Sequence, residues 1–307
     1  MTLDADAQAI ADMTAGSPRL HEQDLEACRT MAAMNIASRK AEMHEVYERR
    51  VPGPHGDVPV RVYRPVTKDG LPVLVYMHGG GWSIGGLDTV DGVCRELASR
   101  AECVVVSVDY RLAPEHKFPI GFEDSYAVVE WVADHAGELG ADGGRLAVAG
   151  DSAGANFSAA ICLRARDENG PHITFQLLAY PATEYGVERP SCVEQAEAPM
   201  LSRQDVEWFW GHYLRDATDS KDPRATPSSA ASHEGLPPAL VVTAEHDPLR
   251  DDGEAYGELL RAGGVEVTVK RYPGVFHGFF IMVGLLRRND EAMSDAADAL
   301  KKAFGTS

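Results

Sequence analysis

The sequence predicts an α/β fold: a mainly parallel central sheet flanked by helices, with a helical cap. Three observations lead there. From about residue 58 onward, short β-branched runs alternate with helical patterns, the rhythm of strand–helix–strand units. A length of 307 residues is ordinary for one large α/β domain. Hydrophobic residues at 44% and charged residues at 25% sit near the globular average, which excludes wholesale disorder and a small disulfide-stapled scaffold.

Taken in order, the first fifty residues show no convincing strand. Leu25, Met31, Met34 and Ile36 recur at roughly helical spacing and predict one or two amphipathic helices. A Pro/Gly-punctuated stretch from Val51 then changes the texture. Strands are expected over 58–63, 73–77, 103–108, 146–149, 174–178, 239–242 and 265–272, with helices over 91–100, 122–135, 155–166 and 253–262. About sixty residues between the fifth and sixth of these strands carry no strand signal. They hold Met200, Leu201, Trp208, Phe209, Trp210 and Tyr213 and predict an inserted helical element that closes over a site with the N-terminal helices.

The formal charge of −18 disfavours nucleic acid and anionic membrane as partners. The five cysteines are scattered without a C-x-x-C pair, so neither a zinc ribbon nor a redox pair is expected. The acidic N-terminus lacks a basic n-region, and no apolar run approaches the 18 or more residues of a membrane span. The expectation is a cytoplasmic protein.

Two G-x-S-x-G segments occur, Gly81-Trp-Ser83-Ile-Gly85 and Gly150-Asp-Ser152-Ala-Gly154. Such a motif places a serine on a sharp strand-to-helix turn, but one chain in about ten of this length matches by chance. Context separates the pair. Ser152 directly follows the apolar run 146–149 and precedes an alanine-rich helix, whereas Ser83 lies within a glycine-rich loop. Ser152 is the candidate nucleophile.

The loop His78-Gly79-Gly80-Gly81-Trp82 directly follows a predicted strand. Consecutive glycines can turn main-chain N–H groups toward a developing oxyanion. A phosphate-binding reading fails, because position 84 is isoleucine where G-x-G-x-x-G needs glycine and G-K-[ST] is absent. A serine nucleophile also needs a base. His277 lies just beyond the last predicted strand, followed by Gly278; His172, His212 and His233 have weaker positions. Asp247, after the strand over 239–242, is the candidate acid, with Glu245, Asp251 and Asp252 as rivals and His246 as an alternative base. No H-E-x-x-H is present, so no metal is expected.

These residues resemble the hormone-sensitive-lipase-like branch of α/β-hydrolase esterases. The likeness covers about residues 58–280: His78-Gly-Gly-Gly-Trp, Tyr110-Arg-Leu-Ala-Pro-Glu115, Gly150-Asp-Ser-Ala-Gly154, Asp247-Pro-Leu-Arg-Asp-Asp-Gly253 and Tyr272-Pro-Gly-Val-Phe-His-Gly278. The resemblance implies a carboxylesterase that hydrolyses short- to medium-chain esters, without cofactor. Ser152 would be its nucleophile, His277 its general base and acid, and Asp247 the residue that orients the histidine. It further implies oxyanion donors at the backbone N–H groups of Gly80, Gly81 and Ala153. Its cap would comprise residues 1–50 and an insertion at about 183–229, the rest of 51–307 forming the catalytic domain. Trp82, Trp208, Phe209 and Tyr213 are candidate substrate-contacting residues. The expected partner is a small-molecule ester, with a homodimer paired through the last strand as a further expectation.

Overall fold

The computed structural model describes residues 2–33 and 40–306. Chain order is α1 (Ala5–Thr14), α2 (Leu25–Ala32), β1 (Glu45–Val51), β2 (Val58–Arg64), β3 (Leu71–Met77), α3 (Asp91–Ala101), β4 (Val104–Val108), α4 (Ile120–His135), β5 (Ala141–Asp151) and α5 (Ala153–Asp167). It continues with β6 (Ile173–Ala179), α6 (Pro190–Glu194), α7 (Arg203–Tyr213), β7 (Ala239–His246), α8 (Arg250–Ala262), β8 (Val267–Phe276) and α9 (Arg287–Phe304). The eight strands form one sheet in the order β1-β2-β4-β3-β5-β6-β7-β8. Its β1–β2 and β2–β4 pairs are antiparallel and the others parallel.

The middle of the sheet is covered on both faces, so its strands are apolar throughout rather than alternating. All seven residues of β3 and all five of β4 are buried. Successive side chains still divide between two cores. Val73, Val75 and Met77 join Tyr126, Phe157 and Ile161 from α4 and α5. Leu74 and Tyr76 join Val93 and Leu97 from α3 and Leu300 and Phe304 from α9.

Several elements depart from the expected plan, β5 among them, which spans Ala141–Asp151 rather than 146–149. A strand, β1, lies within the first fifty residues, so helices do not fill the 1–50 segment. It is an edge strand with charged Glu45, Glu48, Arg49 and Arg50 and only Val51 buried, which hides its β pattern. Helix α9 was not anticipated, because its inner stripe of Ala292, Met293, Ala296, Ala297, Leu300 and Phe304 is half alanine and reads as weakly apolar. Strand β8 runs on to Phe276, delivering the next residue, His277, from its end. Of the residues that suggested N-terminal helices, Leu25 and Met31 lie in α2, whereas Met34 and Ile36 fall outside the described residues. All five cysteines are free. Among the described residues, no helix is long and apolar enough to cross a membrane.

The segment between β6 and β7 carries α6 and α7 and, among the described residues, no strand. Its two ends are joined. The Ser228 N–H donates to the Thr183 carbonyl at 3.3 Å, and the Ser228 hydroxyl lies 2.8 Å from Thr183 Oγ1. Thr183 in turn bonds to Asp252 through its N–H at 2.9 Å and through its hydroxyl. Asp252 is buried in the first turn of α8, and burial pushes its carboxyl up to about 7 from an ordinary 3.8.

The folded chain therefore keeps a proton on Asp252 that the unfolded chain has released above about pH 4, so this group opposes folding increasingly as pH rises from about 4 to 7. Asp252→Asn retains an acceptor for the Thr183 N–H without the ionisation. Urea midpoints measured between pH 4.5 and 7.5 should fall more steeply for the wild type than for the variant; parallel profiles would contradict this reading.

Candidate active site

Strand β5 ends at Asp151 and α5 begins at Ala153, leaving Ser152 alone to make the turn. Its φ of 53° and ψ of −117° are unfavourable for a side-chain-bearing residue, a strain of about 1–3 kcal/mol that persists only where surroundings impose it. The flanking glycines show how they do. A Cβ on Gly150 would lie 2.3 Å from Gly154 C, and one on Gly154 would lie 2.0 Å from the Met77 carbonyl oxygen. The turn thus closes directly against the end of β3, with room for no side chain.

Two other strand ends meet this serine. His277 Nε2 lies 3.0 Å from Ser152 Oγ, and His277 Nδ1 lies 2.7 Å from Asp247 Oδ2. Asp247 is fully buried, and its Oδ1 accepts from the Leu249 N–H at 2.8 Å. A carboxylate at Nδ1 calls for a proton there, which leaves Nε2 to accept from the serine hydroxyl. The rivals are engaged elsewhere. Glu245 accepts from the Gly274 N–H, Asp251 from Ser191 and Arg250, and Asp252 from Thr183. Neither ring nitrogen of His246 has a hydrogen-bond partner among the described residues.

The glycine loop runs alongside. Asp151, next to the serine, is the residue the sequence reading missed. Its Oδ1 accepts from the Gly79 N–H at 3.0 Å and from the Tyr76 hydroxyl at 2.9 Å, tying the loop to the turn. Burial pushes the Asp151 carboxyl up to about 6. With Gly79 so occupied, the N–H groups of Gly80 and Gly81 make no hydrogen bond among the described residues. The ring of Phe209 from α7 packs onto Gly81, where a Cβ would meet it at 2.1 Å. His78 is a structural member: its Nδ1 lies 2.7 Å from the Gly79 carbonyl, its ring stacks on Tyr110, and burial pushes its pKa down to about 4. Ser83 is buried with no partner for its hydroxyl among the described residues.

A cavity of about 240 Å³ opens over Ser152, bounded by Gly79, Gly80, Gly81, Trp82, Ala153 and His277 below. Leu20, Met31, Met200, Phe209 and Trp210 bound it above. Among the described residues, no group of three or more His, Cys, Asp or Glu side chains could hold a metal ion.

Residues 74–281 match a family model described as the alpha/beta hydrolase fold. The chain is 49% identical over 253 residues to Carboxylesterase NlhH of Mycobacterium tuberculosis, spanning 81% of this chain and 79% of that one. It is 44% identical over 266 residues to Carboxylic ester hydrolase LipN of the same organism, spanning 84% and 71%. The fold matches a hyperthermophilic esterase from the archaeon Pyrobaculum calidifontis with a TM-score of 0.94 at 40% identity, covering 98% of this chain and 99% of that one. The chain belongs to the α/β-hydrolase family, in its hormone-sensitive-lipase-like branch.

In this hydrolase, the candidate substrate residues divide into those that line the cavity and those that do not. Phe209 and Trp82 line the cavity, as does Trp210. Trp208 and Tyr213 are not among the lining residues. Trp208 projects from another side of the helix, beside His212, and Tyr213, one turn beyond Phe209, stacks behind Trp82 at 4.2 Å. An aromatic run on a helix cannot all face one cavity.

The N-terminal segment is fastened both to the 183–229 insertion and to the rest of the chain. Arg19 donates to the Ala198 carbonyl at 2.8 Å, and His21 bonds to Asp205 at the start of α7. In α2, Arg29 donates to the carbonyls of Ser83 at 3.0 Å and Ala113 at 3.1 Å and pairs with Glu115 at 2.6 Å. Arg29 holds the Glu115 carboxyl down at about 2, so the ion pair is intact above the ordinary carboxylate value of 4.5 and is lost only as pH falls toward 2. Arg29→Ala should raise amide hydrogen exchange across α2 by about tenfold or more at pH 7, as a locally opening element does; an unchanged rate would show that the helix is held by apolar packing alone.

Proposed function

We propose that this hydrolase is a serine carboxylesterase that cleaves short- to medium-chain carboxylic esters through an acyl-Ser152 intermediate. The relay Ser152–His277–Asp247 at 3.0 and 2.7 Å carries the reading. Names of relatives support it, since several are carboxylesterases or esterases. His277 takes the Ser152 proton as Oγ attacks the ester carbonyl, then returns it to the departing alcohol. Asp247 keeps the imidazole in the tautomer this requires and stabilises it once charged. Water then attacks the acyl-serine by the same route, with His277 again as base.

The carbonyl oxygen becomes negative in both steps. The N–H groups of Gly80, Gly81 and Ala153 donate hydrogen bonds to that oxygen. They lie on the glycine loop and at the first position of α5, whose dipole also favours an anion. Asp151 holds the loop in register with the nucleophile. The modest, apolar cavity suits a small neutral ester better than a drug-sized ligand, whose pockets run from about 300 Å³ upward. The N-terminal helices and the 183–229 insertion act as the cap. Strand β8, which pairs only with β7 among the described strands, offers an edge through which two copies can associate.

With p-nitrophenyl butyrate as substrate, Ser152→Ala should lower kcat by about 10⁶-fold and Asp247→Asn by about 10⁴-fold, the losses typical of such relays. Full activity in Ser152→Ala would overturn the assignment. Asp151→Ala should lower kcat about tenfold to a hundredfold with KM nearly unchanged, while Asp151→Asn, which keeps the acceptor for Gly79, should lose far less. Equal losses in the two variants would show that the charge of Asp151, rather than its hydrogen bond, matters.

A further inference from the structure

A second cavity of about 400 Å³ lies beside the catalytic cavity, against α7, and Val206, Trp210 and Leu249 line both cavities. Trp210 and Leu249 are only 3% and 5% exposed, so the two spaces are divided by buried side chains one layer thick. The indole of Trp210 is the main part of that wall. It lies 4.4 Å from the Trp82 ring on the catalytic side and 5.6 Å from the Tyr185 ring on the other.

We propose that Trp210 sets the chain length at which ester substrates stop fitting, by closing the catalytic cavity off from a second space that would otherwise take the end of the hydrocarbon chain. The inference rests on Ser152 being the nucleophile. Beyond the wall, Tyr185 and Val187 supply apolar surface. Of the ionisable residues there, Arg189 pairs with Glu184 at 2.7 Å, Arg203 pairs with Glu188 at 2.9 Å and with Glu207 at 3.0 Å, and Asp252 accepts from the Thr183 N–H at 2.9 Å. A methylene chain entering this space buries apolar area without stripping water from an unpaired charge. Tyr185 and Val187 are also 41% and 53% exposed, so the compartment opens outward and the end of a longer chain can reach solvent. In the wild type the wall keeps the chain within the smaller cavity; removing the indole joins the two.

The test is the ratio of kcat/KM for p-nitrophenyl decanoate to that for p-nitrophenyl acetate, measured beside the same ratio for decyl and ethyl acetates. Trp210→Ala should raise one of the two ratios about tenfold or more, since each newly buried methylene is worth about fourfold. Val206→Ala, a milder change to the same wall, should raise it less and covers the case in which Trp210→Ala does not fold. Adding Val187→Trp refills the second cavity and should reverse the gain. Unchanged ratios in both series, or a gain that persists with Val187→Trp present, would overturn the compartment. Acetate hydrolysis that survives in Ser152→Ala would instead defeat the nucleophile assignment beneath it.

Discussion

The site depends on one close approach: Gly150 packed on Gly154, and Gly154 pressed against the end of β3. Because neither position has room for a Cβ, the chain reverses within a single residue and holds Ser152 in a conformation it would not adopt alone. The approach exists because β3 and β5 are neighbours in the sheet, in register from Val73↔Leu146 to Met77↔Gly150. Parallel pairing brings both strands to the same edge, where the glycine loop leaves β3 and the serine leaves β5. The buried carboxylate of Asp151 fastens the two together.

The remaining catalytic candidates arrive by the same logic. Strand β7 ends at His246 and β8 at Phe276, so Asp247 and His277 each stand one residue beyond a strand. These strands pair with each other, which sets the two side chains within a hydrogen bond although thirty positions separate them in sequence. The sheet supplies rigidity, and the segments above supply enclosure. Their contacts to the sheet domain are polar and specific at Arg29 and Thr183, and apolar at Phe209.

Much of this was legible in the sequence because a site at strand ends leaves local marks. Ser152 could be told from Ser83 by the apolar run before it and the helix after it, and the structure buries Ser83 away from the relay. Among the histidines after Ser152, His277 stood out by lying just beyond the last predicted strand. What stayed hidden was whatever depends on partners distant in sequence. Strand β1 reads as polar because it borders solvent, and α9 reads weakly because alanine suffices where a helix packs close. Asp151 lies inside a conspicuous motif, yet its partners, Tyr76 and Gly79, come from another strand and loop. The run Trp208-Phe209-Trp210 looks uniform until helical geometry turns its members in different directions.

Trapping the intermediate tests the central claim most directly. The hydrolase should be mixed with p-nitrophenyl butyrate, quenched in acid within the first turnovers, digested and weighed by mass spectrometry. The account predicts a butyryl group on the peptide containing Ser152, and none on the peptide containing Ser83. An acyl group on Ser83, or active enzyme that never becomes acylated while p-nitrophenol is released, would contradict it.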